Sequence, residues 1–163
     1  MEEKIGGRLM GLKFDVPGEG AFEIGHLVFD VNGTLTDRGK LIPGVRERIG
    51  ALRDEVEIRL LSADTYGTLD DLADELGVEA TRIATGMDKA DLVRGLGGGS
   101  CAAVGNGRND VEMLAEVRLG IAVIGPEGAS PQALAAARVV TGSIAGALDL
   151  LADPKAMAAT LRR

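Results

Sequence analysis

The sequence predicts an α/β protein built on a single doubly wound parallel sheet. Short apolar runs of strand length alternate with segments whose apolar residues recur at helical spacing, along most of the 163 residues. This alternation is typical of βαβ units, in which successive strands lie parallel and helices cover the sheet. No linker or internal repeat divides the chain, so one domain accounts for the whole pattern.

The composition restricts the kind of protein this is. Hydrophobic residues make up 45% of the chain but aromatic residues only 2%, so Leu, Val, Ile and Ala must form the core. The formal net charge of −7 argues against a non-specific nucleic-acid binder, which would need a basic patch. The single cysteine, Cys101, excludes an intrachain disulfide, and we expect it to be a buried hydrophobe. Because no run of 18 apolar residues and no signal-like start occurs, we expect a cytoplasmic protein without a membrane segment.

The N-terminal part is predicted to contain a leader and a hairpin. Residues 1–10 are predicted to be a flexible leader, and residues 11–163 the single domain. Two short extended runs, 11–16 and 21–25, flank a Pro-Gly loop, which indicates a β-hairpin. His26 is the only histidine and has no partner histidine or cysteine with which to bind a metal, so we interpret it as structural.

The chain is organised around the first core strand and the turn that follows it. Leu27 to Phe29 is an apolar run, and the turn dipeptide Asn32-Gly33 follows almost at once. Asp30 therefore lies at the carboxyl end of a strand, where open α/β sheets bind ligands. The turn can direct backbone N–H groups and the Thr34 hydroxyl toward an anion. A carboxylate here can ligate Mg²⁺ or attack phosphorus, although an ordinary turn carboxylate explains this stretch alone equally well.

The remaining elements follow in alternation. Helix boundaries are marked by Gly77 as a C-cap and by Ser130-Pro131 as an N-cap with proline at the first helical position. The predicted strands are 56–61, 81–84, 101–104, 119–124 and 139–140. The predicted helices begin near residue 43, at 69, 88 and 111, after residue 130, and at 144 and 154.

Four polar clusters follow strands or begin helices, and a parallel sheet brings such positions to one crevice. The clusters are Asp30, Asn32 and Thr34; Ser62 and Asp64; Lys89; and Asn106, Asn109 and Asp110. Phosphoryl transfer needs a nucleophile, a metal with carboxylates, and donors for the phosphoryl oxygens. We expect Asp30 to be the nucleophile and to share Mg²⁺ with Asp110. We expect Thr34, Ser62 and Lys89 to hold the phosphoryl group, although separately Ser62 could cap a turn and Lys89 could be a solvated helix residue.

In this order the clusters resemble the four motifs of the haloacid-dehalogenase superfamily, which includes phosphatases and the phosphorylation domain of P-type ATPases. The motifs read Asp30-Val31-Asn32-Gly33-Thr34-Leu35-Thr36, Ser62-Ala63-Asp64, Lys89, and Gly105-Asn106-Gly107-Arg108-Asn109-Asp110. The likeness extends from about Leu27 to Leu151. The strongest resemblance is to soluble P-type-ATPase-like proteins of the superfamily. These proteins share the first motif D-x-N-G-T-L, and their sequences are similar to the stretch from Gly105 to Ala129.

The resemblance implies a Rossmann-like core and a role for each motif residue. The implied roles are Asp30 as nucleophile and metal ligand, the Asn32 carbonyl as a further metal ligand, Ser62 and Lys89 as phosphate-binding, Asn106 and Asp110 at the metal, and Gly33, Asp64 and Asn109 as supporting residues, Asn109 through hydrogen bonds in its loop.

Two positions depart from the family pattern. Family phosphatases carry a second Asp two residues after the nucleophile as general acid and base, and Asn32 cannot transfer a proton. Because such catalysis contributes about 10²–10⁴-fold, we expect slow turnover. Asn106 stands where the family usually has an Asp at the metal, and its amide oxygen can ligate Mg²⁺ but brings no charge.

The connection between the first two motifs bears on access to the site. Residues 37–61 are too few for an inserted cap or for an ATPase nucleotide domain. The sequence therefore predicts an open site, covered by a neighbouring subunit of a homo-oligomer or by a large substrate.

Two classes of function fit these features. The first is a slow Mg²⁺-dependent phosphohydrolase or phosphotransferase acting on a small phosphorylated substrate or a phosphoprotein. The second is a catalytically weak protein that binds a phosphorylated partner or senses Mg²⁺ and phosphate. The retained nucleophile, lysine and hydroxyls favour the enzyme, and the two asparagines favour the binder.

Overall fold

A computed structural model of the chain describes residues 9–163, and most of the predicted leader, residues 1–8, lies outside the described residues. The strands are β1 (Leu12–Val16), β2 (Gly20–Ile24), β3 (His26–Asp30), β4 (Thr36–Asp37), β5 (Lys40–Leu41), β6 (Glu57–Ser62), β7 (Glu79–Arg82), β8 (Cys101–Gly105), β9 (Leu119–Val123) and β10 (Val139–Thr141). The helices are α1 (Val45–Leu52), α2 (Leu69–Leu76), α3 (Gly86–Leu96), α4 (Val111–Glu116), α5 (Pro131–Ala136), α6 (Ile144–Leu151) and α7 (Pro154–Leu161). None of the helices between residues 9 and 163 is long and apolar enough to cross a membrane.

Six strands form a central sheet in the order β10-β9-β8-β3-β6-β7, and every pair in it is parallel. The strand order reverses around β3, which has β6 on one side and β8 on the other. In open α/β sheets the ligand crevice forms outside the carboxyl ends of the strands at such a point. The predicted fold class is confirmed, and the sheet places the end of β3 at the crevice.

Helices cover both faces of the sheet, as the side chains of β3 show. Leu27 and Phe29 belong to the larger hydrophobic core, which α1, α2 and α6 close. Val28 points to the opposite face and packs in a second core with residues of α3, α4 and α5. This alternation follows from the strand period of two residues, and burial on both faces explains why the middle of β3, residues 27–29, is entirely apolar.

Two hairpins accompany the central sheet. The predicted N-terminal hairpin is confirmed as β1 and β2, where the Phe14 and Phe22 rings lie 5.4 Å apart and α7 packs against β1. A second, very short hairpin of β4 and β5 follows the Asp30 turn and was not predicted. Arg38 and Gly39 form its tip with φ of 49° and 86°. Between residues 37 and 56 the chain forms only this hairpin, α1 and their connections.

Several predicted boundaries differ from the structure by one or two residues, among them the start of α3, which lies at Gly86 and not at residue 88. The helix expected near Pro43 begins at Val45. Gly44 at its N-cap has a left-handed φ of 89°, which is not a helical conformation, so the helix cannot extend back through Gly44 to Pro43. The strand expected at 81–84 runs from Glu79 to Arg82, at the edge of the sheet where few apolar side chains define it.

Candidate active site

The predicted site residues lie at one end of the central sheet. Asp30 is the last residue of β3, Ser62 is the last of β6, and Asn106 follows β8 directly. Lys89 lies in the first turns of α3, and Asp110 ends a single 3-10 turn before α4. Hydrogen bonds join five of the predicted residues into one network: Asp30, Thr34, Lys89, Asn106 and Asp110.

Lys89 is the centre of this network. Its Nζ donates to Asp30 Oδ1 at 3.0 Å and to Asp110 Oδ1 at 2.8 Å, and only 1% of the residue is exposed. Asp110 is fully buried, and Asp30 is almost so. An ammonium group between two carboxylates offsets charges that could not otherwise be buried together. Lys89 is therefore a buried member of the network and not a solvated helix residue.

The surroundings shift the pKa values of Asp30 and Lys89. Burial raises the pKa of Asp30 to about 7, and the Asp110 carboxylate adds to the rise, while Lys89 and Thr34 oppose it. Burial alone would lower the pKa of Lys89, but the Asp30 and Asp110 carboxylates outweigh it and raise that pKa above its ordinary value. Lys89 is therefore a cation at neutral pH, suited to hold an anionic group.

Thr34 and Asn106 form the second side of the network. The Thr34 hydroxyl lies 3.1 Å from Asp30 Oδ2 and 3.2 Å from Asn106 Oδ1, and its single proton serves one of them at a time. Asn106 Nδ2 donates to the Gly128 carbonyl at 3.2 Å, which turns the amide oxygen toward Thr34. Both oxygens of Asp30 thus have a fixed neighbour, Lys89 at one and Thr34 at the other.

Asp110 also holds the loop that follows β8. Its Oδ2 accepts the backbone N–H groups of Asn106 at 3.0 Å and Gly107 at 2.9 Å. A Cβ at Gly105 would lie 2.6 Å from this carboxylate, so the close approach requires glycine there. The Asn109 side chain, expected to support the same loop, is exposed and makes no hydrogen bond within the described residues, and its role stays a prediction.

Ser62 and Asp64 lie outside the network. The buried Ser62 hydroxyl accepts the N–H of Asp64 at 2.9 Å, which is the turn-capping contact that the sequence left open as an alternative. Asp64 accepts the N–H of Leu69 at the start of α2 and pairs with Arg82 at 3.0 Å. The Leu69 hydrogen bond, with Arg82, lowers the pKa of Asp64. The phosphate-binding role of Ser62 stays a prediction.

The turn after Asp30 is tightly constrained. Asn32 is half-buried, and its backbone bridges to Thr36. The Gly33 N–H donates to the Thr36 carbonyl at 3.0 Å, and Gly33 has a φ of 77°, which favours glycine. The Asn32 side chain, where a family phosphatase would carry its acid, makes no hydrogen bond in the part of the chain from residue 9 onward.

A further charged residue, Glu127, reaches this turn from the loop after β9. A Cβ placed on Gly33 would lie 2.8 Å from Glu127 Oε2. The sequence pattern predicts no role for Glu127, although Glu127 lies in the loop that follows a strand, as the predicted site residues do. Its approach to Gly33 depends on how two loops from non-adjacent strands pack, which the sequence pattern does not reveal.

The donor set fits a hard cation. No group of three or more His, Cys, Asp or Glu side chains in residues 9–163 is placed to hold a metal by itself. Asp30 and Asp110 offer two carboxylates, and Asn106 and the backbone of Asn32 offer neutral oxygens. Mg²⁺ is bound through one or two carboxylates with several waters retained, so this set suits it.

Comparison with known sequences identifies relatives over part of the chain. A family model described as haloacid dehalogenase-like hydrolase matches residues 94–146. The uncharacterized protein MJ0073 of Methanocaldococcus jannaschii is 43% identical over 60 residues, which cover 37% of this chain and 64% of that protein, just under two thirds of its length. The uncharacterized protein MJ0072 of the same organism is 46% identical over 39 residues, which cover 24% of this chain and 89% of that protein.

Solved structures share the fold at low identity. A 3-deoxy-D-manno-octulosonate 8-phosphate phosphatase from Moraxella catarrhalis, in complex with magnesium, phosphate and its sugar, has a TM-score of 0.63 at 21% identity, covering 84% of this chain and 92% of its own. The catalytic domain of the CPx-ATPase CopB has a TM-score of 0.60 at 22% identity, covering 70% of this chain and 46% of its own. With the motifs, the sheet order and the family match, these likenesses show that the chain belongs to the haloacid dehalogenase superfamily.

Proposed function

We propose that the protein is a Mg²⁺-dependent phosphohydrolase or phosphotransferase that works through an aspartyl phosphate on Asp30. The observation that carries the proposal is the buried Lys89 ammonium, which lies between Asp30 and Asp110 at a strand-end crevice. Buried charge of this kind is a weak source of stability and a frequent mark of functional sites. The match to a family of hydrolases and the fold shared with a phosphatase support the same reaction class.

In the first half of the reaction, Asp30 attacks the substrate phosphorus. A carboxylate oxygen of Asp30 forms the new O–P bond, and the bond to the leaving-group oxygen breaks, with its electron pair passing to the leaving group. Lys89 and the Thr34 hydroxyl, which now contact the two oxygens of Asp30, stand where they can donate to phosphoryl oxygens. Asp110 keeps Lys89 charged and positioned.

Mg²⁺ would be held by oxygens of Asp30 and Asp110, with the Asn106 amide and the Asn32 carbonyl as neutral donors. When bound, it would offset the negative charge on the phosphoryl oxygens.

In the second half, water attacks the aspartyl phosphate, the Asp30–phosphorus bond breaks and phosphate leaves. The attacking water must lose a proton, which passes to bulk solvent because Asn32 cannot accept it. We infer that this half-reaction is slow and that the aspartyl phosphate is long-lived. An acceptor alcohol in place of water would make the protein a phosphotransferase.

Phosphate binding without significant turnover is the second candidate. The amides at Asn32 and Asn106 favour it. Asn32 replaces the proton donor of family phosphatases, and Asn106 replaces a negatively charged residue at the proposed metal site. Such a protein would use the same pocket to bind a phosphorylated partner or to sense Mg²⁺ and phosphate.

The substrate classes that we propose are a small phosphorylated molecule or a phosphoprotein. We propose that the site is open and that a neighbouring subunit of a homo-oligomer or a large substrate covers it, because between residues 37 and 56 the chain forms only a short hairpin, α1 and their connections.

A phosphatase screen with Mg²⁺ distinguishes the two candidates. We expect slow, Mg²⁺-dependent release of phosphate by the wild type and none by Asp30→Asn, which keeps the shape of the side chain but removes the nucleophile. Release that is equal in the two proteins would contradict the proposal. Absence of release, with phosphate and Mg²⁺ still bound together, would favour the binding protein.

A further inference from the structure

The loop after β9 presents Glu127 on a rigid turn. Gly125 to Gly128 form a β-turn closed by a hydrogen bond of 2.9 Å from the Gly128 N–H to the Gly125 carbonyl. Pro126 fixes the backbone φ at the second position of the turn. Glu127 therefore projects from the tip of a turn whose backbone has little freedom.

Asn106 attaches this turn to the candidate active site. Its Nδ2 donates to the Gly128 carbonyl at 3.2 Å, and its own carbonyl accepts the Ser130 N–H at 2.8 Å. A Cβ on Gly125 would lie 2.5 Å from the Gly33 carbonyl, so the turn also lies directly against the loop that follows Asp30. The position of Glu127 is thus set by the same residues that build the site.

The Glu127 carboxylate lies close to the Asn106 amide. A Cβ placed on Gly33 would be 2.8 Å from Glu127 Oε2 and 2.8 Å from Asn106 Nδ2. Since both atoms lie at that distance from one point, they are no more than 5.6 Å apart. A carboxylate therefore stands beside the amide at position 106, where the family usually has an Asp.

The Glu127 carboxylate also has no bonding partner among the described residues. Across residues 9–163 its side chain makes no hydrogen bond and no ion pair, and it is exposed. Asp110, by contrast, is bonded to Lys89 and two backbone N–H groups, and Asp64 is bonded to Leu69 and Arg82. When Asp30 and Asp110 are ionised beside the Lys89 cation, the network has one net negative charge, and Glu127 would add a second.

We propose that Glu127 is an outer-sphere carboxylate of the Mg²⁺ site and supplies the negative charge that Asn106 lacks. The inference rests on the proposed function, because it assumes that Asp30 and Asp110 hold the cation. An outer-sphere position is assigned because no three acidic side chains of the described residues converge closely enough to ligate a metal together. Mg²⁺ keeps several of its waters, and Glu127 would accept a hydrogen bond from one of them.

Calorimetric titration with Mg²⁺ tests this role. Outer-sphere partners typically change metal affinity by about 10–100-fold, so we expect Glu127→Gln to bind Mg²⁺ about tenfold or more weakly than the wild type. The matched control is Glu57→Gln, which removes the same charge from an exposed position at the opposite end of the sheet and should bind as the wild type does. In the double variant Asn106→Asp, Glu127→Gln, the charge returns at position 106, and we expect affinity to recover.

The outcomes separate this inference from the proposed function. If the wild type binds no Mg²⁺, or Asp30→Asn binds it equally well, the proposed function fails and the role of Glu127 fails with it. If the wild type binds Mg²⁺ and Glu127→Gln binds it with the same affinity, only the role of Glu127 is overturned. A loss in Glu127→Gln that Asn106→Asp does not restore would overturn charge compensation as its cause.

Discussion

At the scale of single residues, burial makes the Asp30 carboxylate costly to ionise. Its carboxylate is buried beside Asp110, and this burial raises its pKa from 3.8 to about 7. The folded state then holds a proton on Asp30 more tightly than the unfolded state does. The contribution of Asp30 to stability is therefore complete below about pH 4 and is lost as the pH rises through about 7.

This shift predicts a pH-dependent effect of Asp30→Asn on the metal-free protein. Asn imitates the neutral carboxyl group, so the melting temperature of the variant should rise relative to the wild type between pH 5 and pH 8. Thermal melts in a chelator at the two pH values measure the difference. The exposed Asp54→Asn is the control and should show no such trend. An equal difference at both pH values for Asp30→Asn would contradict the assigned burial cost.

Asn32 is the residue whose replacement should raise activity. We expect Asn32→Asp to raise turnover about tenfold or more, because an acid at this position could protonate the leaving group and take a proton from the attacking water. Alkyl phosphates should gain more than aryl phosphates, since an aryl leaving group needs less protonation. Steady-state rates on both substrate types at saturating Mg²⁺ provide the measurement. Rates equal to those of the wild type on both would mean that the missing acid is not limiting.

The residue-level predictions depended on motif order and strand ends. Asp30, Lys89 and Asp110 could be predicted to meet, because each follows a strand or begins a helix at the same edge of a parallel sheet. The contacts of Ser62 could not be assigned, since its hydroxyl can equally cap its own turn, as it does with the Asp64 N–H. Glu127 could not be assigned either, because its place depends on the packing of one loop against another.

At the scale of elements, predictions were accurate where the ends carried chemical signals. Gly77 ends α2 with a left-handed φ of 68°, and Ser130 caps α5 through its hydroxyl. The strands β4 and β5 were missed, since two residues each are too short to show periodicity. The predicted position of the edge strand β7 is two residues too far along the chain, because the side chains of this strand are only partly buried and give a weak apolar pattern.

Two glycines test how elements pack. Gly120 in β9 lies under α4, and a Cβ there would be 2.6 Å from the Leu114 carbonyl, so we expect Gly120→Ala to lower the free energy of unfolding by about 1–3 kcal/mol. Gly50 in α1 has open space around its Cβ position, so Gly50→Ala should raise that free energy by about 0.5–1 kcal/mol. Urea denaturation of both variants measures the changes. Equal effects would contradict the packing of α4 on β9.

At the scale of the whole molecule, the proposed phosphoryl-transfer site has no nucleotide-binding insertion between its first two motifs. Between residues 37 and 56 the chain forms only the short hairpin and α1. The chain matches 46% of the CopB catalytic-domain structure, so much of that protein has no counterpart in the match. The likeness to a CPx-ATPase therefore concerns the core fold.

We accordingly expect no recognition of the adenine base. ATP and inorganic triphosphate should bind with similar affinity in the presence of Mg²⁺, because only the phosphates would contact the Lys89 network. Calorimetry with both ligands under matched conditions makes the comparison. A clear preference for ATP would show a base-binding surface that the described residues do not reveal.

Acid quenching followed by mass spectrometry detects directly whether Asp30 becomes phosphorylated. The protein is mixed with an aryl phosphate and Mg²⁺, stopped in acid and digested to locate any phosphoryl group. Because Asn32 leaves hydrolysis without a base, we expect an accumulated phosphoryl group on Asp30 in the wild type, less of it in Asn32→Asp, and none in Asp30→Asn. Mg²⁺-dependent turnover with no phosphoryl group on Asp30, or equal labelling of Asp30→Asn, would contradict this expectation.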